Sequence, residues 1–261
     1  VLNDVEVLSV FVDTAVDGSV LDQLPQLKCI VTRSVGFDHI AVDVARSRGI
    51  TISRVPHYGS QTVAEFAFAL MFALSRKAYQ AYVDLTADTS VDTLEPYEGF
   101  DLGGKTLGVI GTGKIGERVC AIAKSFGMEV IAYDQFPNSA LIASGIKYAS
   151  IEEVMQKSDI VTLHVPSLPS THHLINAHLL SLMKPTAYLI NSARGEIVDT
   201  QALVDALKNK QIAGAGLDVL EGERFLAKEE ELTSEQKQDP KIVVLLSLDH
   251  TLIDLPNVVV T

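Results

Sequence analysis

A glycine-rich turn between two apolar runs constrains this chain more than any other feature. Residues 105–134 read KTLGVIGTGKIGERVCAIAKSFGMEVIAYD, which predicts a strand, a glycine turn, an amphipathic helix and a second strand ending on an acid. In such a unit the first glycine permits a tight turn, the second lets a pyrophosphate approach the backbone, and the third lets the helix pack closely. We therefore predict a Rossmann-type dinucleotide site formed by Gly111, Thr112, Gly113, Lys114, Ile115 and Gly116.

The acid at the end of this stretch indicates which dinucleotide binds. Asp134 lies 23 residues after Gly111, where a carboxylate can accept a hydrogen bond from a ribose 2′-hydroxyl. A carboxylate repels the 2′-phosphate of NADP, and the sequence DQFPN that begins at Asp134 offers no Arg or Lys to bind that phosphate. We expect NAD as the cofactor, the alternative being a solvated Asp at a strand end.

Composition excludes several classes of partner. The 261 residues carry a net charge of −12 and contain no basic run, which argues against nucleic acid or an anionic membrane as a partner. The longest apolar run, residues 63–74, is short and contains Glu65, so no membrane-spanning helix is expected. Cys29 and Cys120 belong to no metal or disulfide motif and indicate a reduced, cytoplasmic protein without a metal.

The order of apolar runs predicts an α/β fold in two domains. A βαβαβ alternation over residues 5–55 predicts a smaller, incomplete α/β domain of flavodoxin type, residues 1–58. Residues 59–261 are predicted to form a Rossmann-type doubly wound parallel sheet. Residues 60–77 should form a helix buried nearly all round, between layers or subunits. We expect 85–101 to be irregular and 229–239 to be an exposed charged insertion.

Arg194 is the first candidate for chemistry on a substrate. It follows the apolar run 187–192 at the carboxyl end of a predicted strand, where ligands bind in open α/β sheets. Its planar guanidinium suits a carboxylate and a carbonyl, although a surface salt bridge is the alternative. The small flanking residues Ser192, Ala193 and Gly195 should let a ligand approach the backbone.

Asp218 and Glu223 follow the next predicted strand, in GAGLDVLEGE. Each alone could be a solvated loop residue. Because neighbouring parallel strands end at one edge of the sheet, both acids could line a crevice with Arg194.

Six motifs, in this order, resemble the NAD-dependent D-2-hydroxyacid dehydrogenase family, nearest its D-lactate dehydrogenase-like branch. They are RSVGFDHI, VPHYGSQTVAEFAFAL, GVIGTGKIG, TLHVP, NSARGEIVD and GAGLDVLEGE, and they extend from Arg33 to Glu223. The resemblance implies reversible hydride transfer between NAD(H) and a 2-oxo acid or D-2-hydroxy acid. It also implies a homodimer, with the active site between the two domains.

The resemblance implies roles for particular residues. Arg194 would hold the carboxylate and carbonyl of the substrate, and Glu223, 29 residues later, would hydrogen-bond the catalytic histidine and keep it protonated. Glu221 is the less favoured acid. The remaining assignments are backbone N–H groups of Val35 and Gly36 for the substrate carboxylate, Tyr58 near the substrate, Asp218 for the nicotinamide amide, Ser192 and Ala193 for the cofactor, and His164, Val165 and Pro166 for the adenosine side.

The end of the chain departs from the family pattern. In the family the acid–base histidine follows directly after the strand that Asn257-Val-Val-Val-Thr261 matches. The chain is therefore expected to be a fragment, truncated at both ends and lacking that histidine. None of its own histidines is expected to replace it: His39, His57, His164, His172, His173, His178 and His250.

Three alternatives stay open from the sequence. The substrate could be phosphoglycerate, glyoxylate or a branched 2-oxo acid instead of pyruvate. The fold could serve as a corepressor-like, NAD-sensing module, or the chain could be a non-catalytic NAD-binding fragment.

Overall fold

The chain forms two compact units, Val1–Ser60 and Gln61–Thr261, in a computed structural model that describes residues 4–12, 14–56, 58–86, 93 and 95–261. His57 therefore lies outside the described part of the chain, as do residues 87–92 and 94 in the segment expected to be irregular. No helix in the described ranges is long and apolar enough to span a bilayer.

The smaller unit is a three-stranded parallel sheet in the order β1-β2-β3. Its elements are β1 (Val7–Val10), α1 (Gly18–Asp22), β2 (Cys29–Thr32), α2 (Val42–Ser47) and β3 (Thr51–Arg54). Leu21 of α1 and Ala45 of α2 pack against Ile30 of the central strand in one buried cluster. This arrangement confirms the predicted βαβαβ alternation.

The larger unit is a seven-stranded parallel sheet in the order β10-β9-β8-β7-β4-β5-β6. Its strands are β4 (Thr106–Ile110), β5 (Glu129–Tyr133), β6 (Lys147–Tyr148), β7 (Ile160–Leu163), β8 (Tyr188–Asn191), β9 (Gly214–Leu217) and β10 (Val258–Val260). The strand order reverses at β4 and β7, which is the topological switch point of a doubly wound sheet. The Rossmann-type fold is confirmed.

Helices cover both faces of this sheet. The helices of this unit are α3 (Ser60–Arg76), α4 (Ala78–Thr86), α5 (Lys114–Ser125), α6 (Ser139–Ala143), α7 (Ile151–Lys157), α8 (Ala177–Ser181), α9 (Thr200–Lys208), α10 (Glu223–Leu226) and α11 (Pro240–Asp254). Because helices cover the sheet on both sides, every residue of β7 is buried. Short polar caps set where helices begin, as at α7, where the Ser150 hydroxyl accepts a hydrogen bond from Glu153 N–H.

Helix α3 is less completely buried than its composition predicts. Leu70 and Leu74 pack onto Gly216 of β9, where a Cβ would lie 3.1 Å from the Leu70 Cβ. The opposite face is more open: Phe72 is 37% exposed and makes an edge-to-face contact with Phe126, with ring centroids 5.3 Å apart. One face of α3 is therefore exposed in the single chain, and burial of the helix between layers or subunits stays a prediction.

Helices α4 and α11 are among those that were not expected. The segment 85–101 was expected to be irregular, but α4 extends to Thr86 and a 3-10 turn occupies Glu95–Tyr97. Helix α11 follows the exposed charged insertion and begins where Asp239 caps the Lys241 N–H and Pro240 occupies the first turn. Pro in the first turn favours a helix start because its missing N–H would have had no partner there.

Asp249 is a buried carboxyl group within α11. It is 0% exposed, and neither carboxyl oxygen has a hydrogen-bond partner in the part of the chain that the structure describes. Burial raises the pKa of Asp249 to about 6, and the charges of Glu221 and Glu223 add to the rise. The nearby Gly222 N–H lowers the pKa of Asp249 and so offsets part of this rise, although its geometry is not that of a hydrogen bond. Ionised Asp249 therefore destabilises the fold.

Replacing this carboxyl should stabilise the protein at alkaline pH. Because the folded pKa exceeds the unfolded one, the stability that Asp249 contributes is complete below the unfolded pKa and is lost as pH rises through the folded value. Asp249→Asn should raise the free energy of unfolding by about 1–3 kcal/mol at about pH 8 and by less at about pH 5. Urea denaturation at both pH values measures this change.

Asp254→Asn is the matched control, because Asp254 is an exposed acid on the same helix. An equal effect of the two substitutions, or a gain from Asp249→Asn that does not grow with pH, would contradict the account.

Candidate functional site

Gly111 lies where β4 ends beside β7, and two conditions require glycine there. Its φ is +93°, and an added Cβ would lie 2.6 Å from the carbonyl carbon of His164. The backbone is held in place by Gly111 N–H donating to Tyr133 O at 2.8 Å and by His164 N–H donating to Ile110 O at 2.7 Å. Any side chain would therefore force β4 and the segment after β7 apart.

The other two glycines of the turn have different surroundings. A Cβ on Gly116 would lie 2.0 Å from Gly111 O, so this glycine lets the first turn of α5 close onto the loop itself. A Cβ on Gly113 would meet nothing within 4 Å. Gly113 caps α5 without a side-chain hydrogen bond. Open space before the positive end of a helix fits a pyrophosphate.

Asp134 is held at the end of β5 by three donors. One carboxylate oxygen accepts the Thr112 N–H at 2.6 Å and the Thr112 hydroxyl at 3.0 Å, and the other accepts the Phe136 N–H at 2.8 Å. A carboxylate has about four acceptor positions, so one is left for a ribose hydroxyl. This geometry fits the adenosine ribose of a dinucleotide.

Tyr148 is part of the same network, and sequence reasoning missed it. Its hydroxyl donates to the Thr112 hydroxyl at 2.9 Å and accepts the Asn138 N–H at 3.0 Å. Because the Thr112 hydroxyl is then directed at Asp134, Tyr148 positions the carboxylate through Thr112. The two-residue strand β6 that carries Tyr148 is too short for an apolar pattern to identify it.

His164 follows β7 beside the glycine turn and is neutral. One ring nitrogen lies 2.9 Å from the Thr162 hydroxyl, while the other is buried without a partner. Burial lowers the pKa of His164 to about 3. A buried ring nitrogen without a partner fits a site that a ligand completes. Val165 and Pro166 continue from it, half-buried and exposed respectively.

Arg194 is placed by Asn191, a second residue without a role in the sequence analysis. The buried Asn191 amide donates to Arg194 O at 2.9 Å and accepts the Ala193 N–H at 3.0 Å. The Arg194 guanidinium donates to Ala193 O at 2.7 Å. The Ser192 hydroxyl is buried without a partner in the described structure. The loop after β8 is thus fixed on its strand side and carries a polar atom that a ligand could satisfy.

Gly195 has a close contact that the sequence did not reveal. A Cβ there would lie 2.1 Å from the carbonyl carbon of Leu220 and 2.3 Å from Glu221 N. The protein's own loop after β9 therefore lies against the side of this backbone where a Cβ would stand, and the expected approach of a ligand to residues 192–195 stays a prediction. Gly195 therefore brings the loop after β8 and the loop after β9 together.

That contact brings three predicted residues to one edge of the sheet. Burial raises the pKa of Asp218, whose carboxylate accepts the Thr261 hydroxyl at 3.3 Å. Partial burial also raises the pKa of Glu223, and the positive charge of Arg194 opposes that rise. Because Glu223 as a residue remains exposed, solvent limits this effect. Its carboxylate accepts the Leu220 N–H at 3.1 Å.

Glu221 is occupied elsewhere. One carboxylate oxygen lies 2.8 Å from the His173 ring nitrogen, and the other accepts the Thr200 hydroxyl at 2.7 Å. Both oxygens therefore have partners, which favours Glu223 over Glu221 as the acid free to act on a ligand.

Val35, Gly36 and Tyr58 belong to the smaller unit. Val35 and Gly36 form the loop after β2, whose carbonyls accept hydrogen bonds from Arg54 at 2.9 Å and from the Ser34 hydroxyl at 2.6 Å. Neither N–H donates a hydrogen bond within the described part of the chain. Tyr58 is 59% exposed.

Comparison with known proteins gives a consistent result. Residues 68–261 match the family profile "D-isomer specific 2-hydroxyacid dehydrogenase, NAD binding domain", and residues 1–98 match the catalytic domain of the same description. The chain is 38% identical over 226 residues to D-lactate dehydrogenase of Escherichia coli, covering 86% of this chain and 68% of that protein. It is 39% identical over 226 residues to glyoxylate reductase of Thermofilum pendens, covering 85% and 67%.

A solved structure is also similar over the whole chain. It is D-lactate dehydrogenase from Aquifex aeolicus complexed with NAD and lactic acid, with a TM-score of 0.88 and 39% identity. The match covers 100% of this chain and 76% of that one.

The different surroundings of Gly111 and Gly113 lead to a prediction. Gly111→Ala should lower the free energy of unfolding by a few kcal/mol, because the methyl group meets backbone and φ is positive. Gly113→Ala should cost less than about 1 kcal/mol yet weaken NADH binding at least about tenfold, because its methyl group takes the space that a pyrophosphate needs.

Urea denaturation and fluorescence titration with NADH separate the two effects. If Gly113→Ala bound NADH as tightly as the unaltered chain, the phosphates would not lie at this turn.

Proposed function

We propose, from the premise that the chain belongs to the D-isomer-specific 2-hydroxyacid dehydrogenase family, that it interconverts pyruvate and D-lactate with NAD(H). The bound nicotinamide supplies or accepts the hydride. The observation that carries the proposal is the convergence of Arg194, Asp218 and Glu223 at the carboxyl edge of β8 and β9, brought about by the close approach at Gly195.

Arg194 is proposed to bind the 2-oxo acid. Its guanidinium can donate to the carboxylate and, at the same time, polarise the carbonyl oxygen on which negative charge develops. The N–H groups of Val35 and Gly36 and the exposed Tyr58 are the proposed further contacts. Arg194 supplies local positive charge for a small anion despite the net charge of −12.

Glu223 is proposed to act through an imidazole. Its carboxylate would accept a hydrogen bond from the acid–base histidine that the family resemblance implies. This hydrogen bond would keep the imidazole ring protonated, so that it can donate its proton to the carbonyl oxygen. The engagement of both Glu221 oxygens by His173 and Thr200 supports this choice of acid.

The cofactor assignments follow the dinucleotide geometry. The turn 111–116 is proposed to hold the pyrophosphate and Asp134 the adenosine ribose. The remaining contacts are proposed for His164, Val165 and Pro166 on the adenosine side, and for Ser192, Ala193 and Asp218 on the nicotinamide side. The unsatisfied atoms of His164 and Ser192 support this assignment.

Glyoxylate is the second candidate substrate. The similarity to glyoxylate reductase of Thermofilum pendens is as high as that to the D-lactate dehydrogenase of Escherichia coli. The two substrates differ by one methyl group, which a hydrophobic pocket distinguishes only about 10–200-fold. Relative kcat/KM for pyruvate and glyoxylate decides between them.

The protein is further proposed to be a cytoplasmic homodimer that binds neither nucleic acid nor membrane. The exposed Phe72 on α3 and its edge contact with Phe126 offer an apolar surface for a second copy. Cys29 and Cys120 are both free thiols, as in proteins of a reducing compartment.

Arg194 substitutions test the proposed substrate contact. Arg194→Lys and Arg194→Gln should each lower kcat/KM for the 2-oxo acid about 10²–10³-fold, since neither side chain reproduces the guanidinium fork. NADH affinity should stay within about twofold, because Arg194 binds substrate and not cofactor. The measurement is NADH oxidation by protein produced from its natural gene, with pyruvate, glyoxylate and longer 2-oxo acids.

Arg76→Lys is the control, since Arg76 forms an exposed ion pair with Asp101 and has no proposed role in binding substrate or cofactor. A kcat/KM in the Arg194 variants equal to that of the wild type would contradict the proposed substrate contact. Absence of turnover with every 2-oxo acid would contradict the proposed reaction.

A further inference from the structure

His172, His173 and Glu221, none of which is assigned to substrate or cofactor, form a cluster of potential metal ligands. One ligand atom from each lies within 4.8 Å of the others. We propose that these three residues bind a divalent transition-metal ion of the zinc type. The reaction proposed above uses none of these side chains.

The ligands are held in place before any metal binds. Thr200 at the start of α9 fixes the Glu221 carboxylate through a 2.7 Å hydrogen bond. The turn carrying the histidines is tied down where His173 N–H donates to Glu196 O at 2.8 Å and the Thr171 hydroxyl donates to Pro166 O at 2.7 Å. His173 has a φ of +50°, a conformation that non-glycine residues rarely adopt. A fixed arrangement lowers the entropy cost of binding.

The two imidazoles lie side by side and can offer nitrogen ligands to one ion. Their ring centroids are 4.0 Å apart, and the rings are inclined by 32°. One ligand atom from each histidine lies within 4.8 Å of a Glu221 ligand oxygen. Neutral imidazole nitrogens bind Zn²⁺, and a carboxylate oxygen completes a set of three that leaves one position for water. Two nitrogen ligands disfavour Mg²⁺ and Ca²⁺, which prefer oxygen.

A metal can enter with a small adjustment. The ring nitrogen of His173 and the Glu221 oxygen lie 2.8 Å apart in a hydrogen bond. Two ligands of tetrahedral Zn²⁺ stand about 3.3 Å apart, so a metal that takes the place of this hydrogen bond would separate the pair by about 0.5 Å. The His173 side chain is 35% exposed and His172 is exposed, which permits the movement and gives the ion a path from solvent.

The chain contains an internal comparison for this site. His250 and Glu229 form a similar pair, with a ring nitrogen 2.9 Å from a carboxylate oxygen. No third ligand accompanies that pair among the described residues, where only the His172 cluster brings three together. An ordinary His–Glu ion pair should not hold zinc tightly, whereas the cluster of three should.

Calorimetric titration of the tag-free chain with ZnCl₂ tests the proposal. We expect one Zn²⁺ per chain at the cluster, a higher thermal unfolding midpoint with zinc, and no comparable binding of Mg²⁺. His172→Ala should weaken zinc binding at least about tenfold, and His250→Ala should leave it unchanged. Because His172 is exposed, its removal should not prevent folding. His172→Gln provides a second variant, and circular dichroism and NADH binding show whether it is folded.

Co²⁺ gives an independent measurement, because the bound ion absorbs visible light strongly only when a few ligands surround it in tetrahedral geometry. We expect that absorption in the unaltered chain and its loss in His172→Ala. Zinc affinity that is equal in the His172 variants and the unaltered chain, or no saturable site, would overturn the proposal. NADH binding is read separately, so failure of the metal site would leave the proposed dehydrogenase function standing.

Discussion

The rest of the larger unit depends on the absence of a side chain at Gly111. Because a Cβ there would lie 2.6 Å from the His164 carbonyl carbon, only glycine lets the end of β4 meet the segment after β7 at the switch point. That approach places the first turn of α5, the end of β5 and His164 around one space. The dinucleotide site follows from sheet topology, and Asp134 and Thr112 then define which cofactor it accepts.

Gly195 has the same physical role at the neighbouring strands. Its missing side chain lets the loop after β9 pack on the loop after β8, which brings Glu223 toward Arg194. Asn191 fixes the other side of the Arg194 backbone. Arg194 and Glu223, which lie 29 residues apart in the sequence, are thereby held at one edge of the sheet by one close backbone contact and one side-chain hydrogen bond. Rigid placement of this kind favours catalysis over mere binding.

Much of this could be predicted from sequence because the signals are local. Periodicity and caps identify most strands and helices, and the glycine spacing with Asp134 identifies the turn. What escaped prediction depends on distant partners. Tyr148 lies on a strand of two residues, and the contact of Gly195 with Leu220 joins two separate loops. Phe72 could not be placed on an open face from composition, because an apolar helix gives no sign of which side is covered.

The central claim is that the Asp134 carboxylate, held by Thr112 and Tyr148, makes this an NAD-binding site. The most direct test is a fluorescence titration of the chain with NADH and with NADPH under the same conditions. We predict that NADH binds at least about tenfold more tightly, a difference of about 1.4 kcal/mol. Tyr148→Phe should weaken NADH binding, whereas Tyr133→Phe should not. Equal affinity for the two dinucleotides would contradict the account.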